Sequence, residues 1–332
     1  MKKFIRNFIL FISIPLILLI SLDLFLRSLN TLYTEKYDGL MLLKKDIEII
    51  FLGNSHANYS INPLYIRNFK AYNLANVNQK IYFDKRLLKK VINDGVSNLK
   101  YVFISVDYHS LYSSSQGTKI DTWSYYANGI KYKNRNYIKE NVSPSIWGYT
   151  SKVSINLLKK RVLQHLQEES TTINFDVERG INLNDTLTYG FIGFSGQAKN
   201  TFNENHYKLR AKGFMVSTIN NEKNEIINDL KDFIIFLKNN KIEPILFSSP
   251  TFNDYNKFLD TTTINKNKTD INGICKEFNI QYWRYNEDLR FIKRDFYNAD
   301  HLNKNGAKKF SSIINSKLLD YEKTRTHNTV YN

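Results

Sequence analysis

Cysteine is nearly absent from this sequence, since Cys275 is the only one among 332 residues. A lone cysteine excludes an intramolecular disulfide and any zinc cluster built from cysteine thiolates. Long low-complexity tracts are also absent, while 42% of the residues are hydrophobic and 14% are aromatic. Disorder is therefore not expected, and the length suits one sizeable α/β domain with an insertion, or two small domains.

Arginine-rich blocks are missing although the chain is basic. Lysine and arginine number 47 against 31 acidic residues, a formal net charge of +16. The lysines are scattered among Asn, Ile and Tyr along the whole chain, and no recognised nucleic-acid-binding module accompanies them. We interpret the charge as solvated surface and expect no nucleic-acid partner.

The N-terminus has the pattern of a membrane anchor. Lys2, Lys3 and Arg6 precede an apolar run over residues 8–26, about the length that an α-helix needs to cross a bilayer. Pro15 and the terminal position disfavour a buried core helix, and no small-residue cleavage site of a signal peptide follows the run. By the positive-inside rule, we expect the N-terminus in the cytoplasm and the rest of the chain in the periplasm or outside the cell.

Short apolar runs alternate with amphipathic stretches after residue 46, which is typical of a layered α/β domain. We predict helices over Phe83–Ile92 and Glu225–Asn239, where apolar residues recur at helical spacing. Strands are predicted over five apolar runs: Ile47–Leu52, Ala71–Leu74, Tyr101–Val106, Pro244–Phe247 and Ile280–Trp283.

The domain prediction follows from these patterns and divides the chain into four parts. A cytoplasmic tip and anchor (1–29) and a juxtamembrane linker (30–45) precede the main domain (46–320), and a C-terminal tail (321–332) follows it. Residues 108–223 break the alternation with tyrosines, a tryptophan and glycines, so we predict a long insertion there, with a helix over residues 151–169. Such an excursion forms either a lid or binding surface, or a loop that packs its own rings.

The stretch "FLGNSH" places Ser55 where an apolar strand ends in Gly-Asn-Ser. Open α/β sheets build their sites at the carboxyl ends of strands, and Gly53 permits a sharp exit from the strand. A serine hydroxyl becomes a strong nucleophile only when a base removes its proton. The alternative is that Ser55 merely caps the strand end.

A matching base stands near the C-terminus, where "NADHLNKNGA" sets His301 before a final amphipathic helix. His301 is either that base or a helix-entry residue that bonds the backbone. His56 adjoins Ser55 and is expected to support the site instead of acting as its base. His109 is expected either to fill space near the site or to lie on the surface of the insertion. With His165 and His206 scattered, no metal spacing is visible.

These two blocks resemble the first and last blocks of the SGNH/GDSL hydrolase superfamily. With the N-terminal anchor, the chain looks like its membrane-anchored branch, which includes the D-alanyl transfer protein of teichoic acid synthesis and the acetyl-transfer proteins of alginate synthesis. The resemblance covers residues 47–100 and about 224–317, and not the insertion. It implies a three-layer α/β/α, flavodoxin-like domain with a mainly parallel sheet.

Carried over by position, the resemblance implies Ser55 as nucleophile and His301 as general base. It implies backbone N–H donors to the oxyanion at Ser55 and, from the second block "YNLANVNQ", near Asn78. The family's aspartate position holds Asn298 here, while Asp300 directly precedes the histidine. Either side chain could orient His301.

A second departure concerns the third block, which supplies an asparagine side chain to the oxyanion in the family. The matching stretch, "FISVDYHSLY", has no asparagine. A Ser-His dyad with a neutral orienter and one oxyanion donor fewer should be slower without being inactive.

The resulting expectation is serine-dependent acyl transfer or ester hydrolysis on a cell-envelope polysaccharide, with no cofactor and no metal. The alternative is a catalytically silent SGNH-like component that binds glycan or a partner in a polysaccharide modification or export complex. Expected partners are the bilayer, through residues 8–26, and a glycan or acyl-ester substrate. A multi-pass membrane acyltransferase is a further partner that the resemblance implies.

Overall fold

The computed structural model describes residues 1–28, 32–112, 125, 129–130, 187–217 and 223–330. The chain divides into two units, one formed by Met1–Glu35 with Thr118–Phe175 and the other by Lys36–Gly117 with Asp176–Asn332. The helix predicted for residues 151–169 and His165 lie outside the described residues.

The first unit contains helix α1, Lys2–Ser28. Within Lys2–Ser21 the helix is long and apolar enough to cross a membrane, and its apolar stretch is not buried against the rest of the structure. A helix of this length and hydropathy serves either as a membrane anchor or as a signal sequence. In the same unit the rings of Tyr33 and Tyr125 meet edge to face, with centroids 5.2 Å apart.

The second unit is built on a parallel sheet. Its strands are β1 (Ile49–Leu52), β2 (Ala71–Asn73), β3 (Tyr101–Ser105), β4 (Glu243–Ser248) and β5 (Gln281–Arg284), in the spatial order β2-β1-β3-β4-β5. All four pairings are parallel; for example, Ile49 pairs with Ala71 on one side and with Tyr101 on the other. Each strand overlaps its predicted range, and the predicted α/β class with a mainly parallel sheet is confirmed.

Helices surround this sheet. The described helices with residues in the second unit are α2 (Leu32–Leu42), α3 (Ser55–Ser60), α4 (Ile81–Asn93), α5 (Glu204–Ser217), α6 (Lys223–Asn239), α7 (Asn253–Asn256), α8 (Thr261–Phe278) and α9 (Lys304–Val330). The predicted helices over Phe83–Ile92 and Glu225–Asn239 correspond to α4 and α6. Helix α2 lies within the predicted linker, and α9 extends into the predicted tail.

Alternation along the strands assigns side chains to the two faces of the sheet. On one face Phe51, Phe103 and Phe247 form a buried core with Ala57 of α3 and Phe310 of α9. On the other face the intervening residues are fully buried, α6 lies against β4, and α4 packs on α6. Burial of both faces explains why the central strands β1, β3 and β4 are nearly continuous apolar runs in the sequence.

The strand order places the topological switch point between β1 and β3, because the chain leaves β1 toward β2 and later continues from β3 toward β4. In open α/β sheets, ligands bind outside the carboxyl ends of the strands at this point. Gly53 and Val106, which follow β1 and β3, are therefore at the expected position of a site.

Candidate functional site

Ser55 is the first residue of α3, directly after a tight exit from β1. Gly53 has φ 131°, and a Cβ there would lie 2.4 Å from the Cβ of Ser105 on β3, so both the backbone and the space require glycine. Asn54 caps α3, since its side-chain oxygen accepts the N–H of His56 at 2.9 Å. This turn fixes Ser55 at the carboxyl edge of the sheet.

The structure brings Ser55, His301 and Asn298 together. The Ser55 Oγ lies 2.8 Å from Nε2 of His301, and Nδ1 of His301 lies 3.1 Å from Oδ1 of Asn298. Ser55 and Asn298 are half-buried, while His301 is buried. Residues 246 positions apart in sequence are thereby joined in one hydrogen-bonded row.

The hydrogen bonds of Asn298 decide the tautomer of His301. Its Oδ1 also accepts the backbone N–H groups of Asp300 at 3.2 Å and of His301 at 2.9 Å, so this atom is an acceptor. The Nδ1–H of His301 must then donate to Asn298, which leaves Nε2 as the acceptor for the Ser55 hydroxyl. The hydrogen bonds from Ser55 to His301 and from His301 to Asn298 therefore run in the direction that a serine nucleophile and its base require.

Asp300 faces Arg210 of α5. The Arg210 Nε donates to Oδ1 and Oδ2 of Asp300 at 3.0 and 2.9 Å, and its Nη2 lies 2.8 Å from Oδ2. The Oδ1 of Asp300 is also 3.3 Å from Nδ1 of His301. Of the two side chains that could orient the histidine, Asn298 makes the closer contact and Asp300 has a charged partner of its own.

His56 links Asp300 to a second carboxylate. Its Nε2 is 3.3 Å from Oδ2 of Asp300, and its Nδ1 is 3.1 Å from Oδ2 of Asp107, the second residue after β3. The side chain of Asn54 donates to the same Asp107 oxygen at 2.6 Å. The prediction that His56 supports the site agrees with this placement, since both ring nitrogens face carboxylates.

Electrostatics keep these buried groups charged. Burial alone would raise the pKa of Asp300, but His301, Arg210 and His56 outweigh it and hold that pKa well below its usual range. Burial alone would lower the pKa of His56, but Asp107 and then Asp300 outweigh it and raise the pKa to about 10. At neutral pH, His56 is therefore an imidazolium between two carboxylates.

The predicted oxyanion donors lie in the turn after β1 and the loop after β2. Asn78 occupies that loop with φ 57°, a left-handed conformation that asparagine tolerates better than most residues. The loop is tied to the nucleophile turn because the N–H of Asn76 donates to the carbonyl of Gly53 at 3.1 Å. The roles of the Ser55 and Asn78 N–H groups stay predictions.

A buried polar cluster lies behind this turn and braces it. The Asn76 side chain donates to Gln79 at 3.1 Å, Gln79 donates to Asp84 at 2.5 Å, and Asp84 accepts the N–H of Gly53. Burial raises the pKa of Asp84 to about 7. Three segments that follow β1 and β2 are thus connected through side chains.

The remaining histidines have different surroundings. His109 is buried beside Phe214, with ring centroids 4.4 Å apart, and burial lowers its pKa to about 3, so it is neutral. It therefore fills space near the site, one of its two predicted placements. His206 lies on α5 one turn before Arg210, and burial first, then Arg210, lowers its pKa.

Three side chains, His56, Asp300 and His301, place ligand-type atoms within 4.8 Å of one another. A metal ion at this position would meet the guanidinium of Arg210, which already occupies both oxygens of Asp300. It would also have to displace the imidazolium proton of His56. The charge pattern of these residues fits an ion-pair network better than a cation site.

Sequence reasoning missed Asp107 and Arg210. Asp107 follows the third strand, a position at which the resemblance implied an asparagine that donates to the oxyanion. Arg210 lies 90 residues from Asp300 in a stretch interpreted only as part of the insertion. The strand-end position was a usable signal for Asp107, whereas no local pattern distinguished Arg210 from the other basic residues.

No protein-family model matches the chain, and no curated protein matches it significantly. Among solved structures, the lipase/acylhydrolase from Enterococcus faecalis is similar, at 10% sequence identity and a TM-score of 0.37. The similarity covers 82% of this chain and 95% of that one.

Proposed function

We propose that this chain is a serine-dependent acyl hydrolase or acyltransferase of the SGNH type. The observation that supports this most directly is the row from Ser55 through His301 to Asn298, with distances of 2.8 and 3.1 Å. Both fall within the range in which a nucleophile, its base and an orienting group transfer and hold protons.

The proposed reaction starts with proton transfer. Nε2 of His301 takes the proton of the Ser55 hydroxyl as Oγ attacks the carbonyl carbon of an acyl ester. The backbone N–H groups of Ser55 and Asn78 donate to the oxyanion that forms. The imidazolium then returns its proton to the leaving oxygen, which leaves the acyl group on Ser55. Water or a second hydroxyl completes the cycle with His301 as base again.

The substrate proposed is an O-acyl, such as O-acetyl, group of a cell-envelope polysaccharide. This class comes from the resemblance of "FLGNSH" and "NADHLNKNGA" to the membrane-anchored SGNH branch. It also agrees with a location at the membrane, since α1 is long and apolar enough to span a bilayer. The proposed topology has a cytoplasmic N-terminus, with the second unit in the periplasm or outside the cell and a multi-pass membrane acyltransferase as partner.

The test uses the full chain in detergent with p-nitrophenyl acetate as the ester. We expect Ser55→Ala to reduce turnover to the spontaneous rate while the thermal midpoint stays nearly unchanged, because a half-buried hydroxyl at a site edge contributes little packing. Ser312→Ala, on α9, is the matched control and should keep full activity.

Two results would contradict the proposal. Full activity in the Ser55→Ala chain would exclude Ser55 as the nucleophile. Loss of folding would instead assign Ser55 to capping of the strand end, and the chain would then fit the silent binding component better.

A further inference from the structure

The site contains a row of four buried or half-buried groups with alternating charge. Asp107 pairs with His56, His56 with Asp300, and Asp300 with Arg210, at distances of 3.1, 3.3 and 2.8 Å. Two carboxylates and two cations balance each other, as buried charges must if they are to remain ionised. The groups come from α3, from the segment after β3, from the turn before α9, and from α5.

Asp300, an inner member of this row of charges, lies beside His301, the base of the proposed reaction. Asp300 is 1% exposed, and its Oδ1 lies 3.3 Å from Nδ1 of His301. The proton on that nitrogen is already donated to Asn298 at 3.1 Å. Asp300 therefore adjoins the histidine as a charge, while the neutral amide makes the orienting hydrogen bond.

We infer that orientation and charge are divided between two residues, with Asn298 holding the His301 ring and Asp300, fixed by Arg210, supplying the negative charge that an amide lacks. Asp300 and Arg210 are thus positioning residues, since both act through His301. The inference rests on the proposed serine mechanism. Its physical basis is that a carboxylate within a few ångströms stabilises the imidazolium that forms when Ser55 loses its proton.

Other titratable groups face Asp300 and His301 from neighbouring elements. In the described residues these are His56, Tyr59, Asp107, Tyr108, His109, His206 and Tyr255. Burial keeps His109 neutral and raises the pKa of Tyr108 and of Tyr255 above the usual range. The charges that act on His301 at neutral pH are therefore mainly those of Asp300, Arg210, His56 and Asp107.

Removal of Asp300 and removal of Arg210 should shift the pH dependence of the rate in opposite directions. His301 must be neutral to accept the Ser55 proton, so the rate falls below the pKa of the base. Asp300→Asn removes a neighbouring anion and disfavours the imidazolium. It should therefore move the acid limb of the pH–rate profile, the range in which the rate falls as pH decreases, to lower pH by about one unit. Arg210→Gln removes a neighbouring cation and should move the acid limb to higher pH, by at most about one unit.

The rate above the limb gives a second readout. Asp300→Asn should lower it about tenfold, because a shift of one unit corresponds to about 1.36 kcal/mol of imidazolium stabilisation. The measurement is turnover of p-nitrophenyl acetate by the full chain in detergent across the neutral pH range. Arg290→Gln is the matched control, since Arg290 pairs with Asp288 through its Nε at 2.9 and 3.1 Å in an exposed loop, and its limb should not move.

The double variant protects the test against a folding defect. If Asp300→Asn leaves Arg210 unpaired and unfolds the chain, the variant with both Asp300→Asn and Arg210→Gln removes both charges, and its acid limb should lie at lower pH than that of Arg210→Gln alone. Limbs that stay in place, or that move in the same direction in both single variants, would overturn the inference. If the Ser55→Ala chain turns over the ester as fast as the unmodified chain, the proposed function fails instead, so the two failures are distinguishable.

Discussion

Asn298 is the residue at which this site differs most from a carboxylate-oriented histidine. One side-chain oxygen accepts three N–H groups, two from the backbone of the turn and one from the His301 ring. The backbone bonds hold the amide in one orientation, so the imidazole meets a fixed acceptor. The amide therefore gives the His301 ring an oriented acceptor that carries no negative charge.

Replacement of Asn298 by aspartate should therefore raise activity. The carboxylate can accept the same three N–H groups, and a charged hydrogen bond is about twice as strong as a neutral one. We expect Asn298→Asp to raise turnover of p-nitrophenyl acetate by up to about tenfold and to move the acid limb to higher pH, since a second anion favours the imidazolium. The rate should be measured across the neutral pH range.

Asn68→Asp provides the control for an added surface charge, because Asn68 lies on an exposed segment and bonds Asn315. It should leave both the rate and the acid limb unchanged. A fall in turnover in the Asn298→Asp chain, or no change in either quantity, would show that Asn298 does not orient the base.

At the same scale, the sequence singled out residues that stand in short patterns, and the structure places their side chains in contact while their catalytic roles stay predictions. Ser55 follows a strand and a glycine, and Asn298 and His301 lie in one turn before a helix. Whether Asn298 or Asp300 orients the ring could not be predicted, because a turn of a few residues can present either side chain. The contact of His56 with Asp300 joins residues 244 positions apart, a separation that no local pattern encodes.

At the scale of elements, the central strands β1, β3 and β4 were predictable because burial on both faces makes each of them a nearly continuous apolar run. The predicted Tyr101–Val106 and the observed Tyr101–Ser105 differ by one residue, and the ends of the other strands differ by up to two. Helices α4 and α6 were found through their apolar stripes. A stripe that faces a core is the strongest signal in a single sequence.

Helix α5 has no such stripe, so the sequence of the insertion after β3 did not indicate a helix at this position. Leu209 is 71% exposed, while Tyr207 and Ala211 are buried, so apolar residues do not mark the face that packs. Its contribution to the site is a cation that pairs with a buried carboxylate. Ion pairing of this kind depends on tertiary contact and leaves no periodicity in the sequence.

Helix α2 occupies the segment predicted as a linker. Lys36 is fully buried and donates to the side chain of Asn58 on α3 and to the carbonyl of Ala75 after β2. A buried lysine needs such acceptors. The segment from Lys36 onward is thus part of the second unit, and the linker prediction missed it because a lysine seldom signals a core position.

At the scale of the whole molecule, we expect α1 to anchor the chain in the membrane with a cytoplasmic N-terminus. The full chain should remain in the membrane fraction after alkaline carbonate extraction, because α1 contains an apolar run that is long enough to span a bilayer and is preceded by Lys2, Lys3 and Arg6. Protease added to spheroplasts should digest the second unit. Recovery of a shortened soluble chain would identify α1 as a cleaved signal sequence, and protection of the second unit would reverse the topology.

The most direct test of the central claim is to trap the acyl group on the protein. The full chain in detergent should be mixed with p-nitrophenyl acetate, quenched in acid within the first turnovers, digested, and examined by tandem mass spectrometry. If Ser55 is the nucleophile and His301 its base, we expect one acetyl group on the peptide that contains Ser55, and none on that peptide when His301 is replaced by alanine. A steady release of product with Ser55 unmodified, or an acetyl group on a different side chain that forms and decays at the turnover rate, would contradict it.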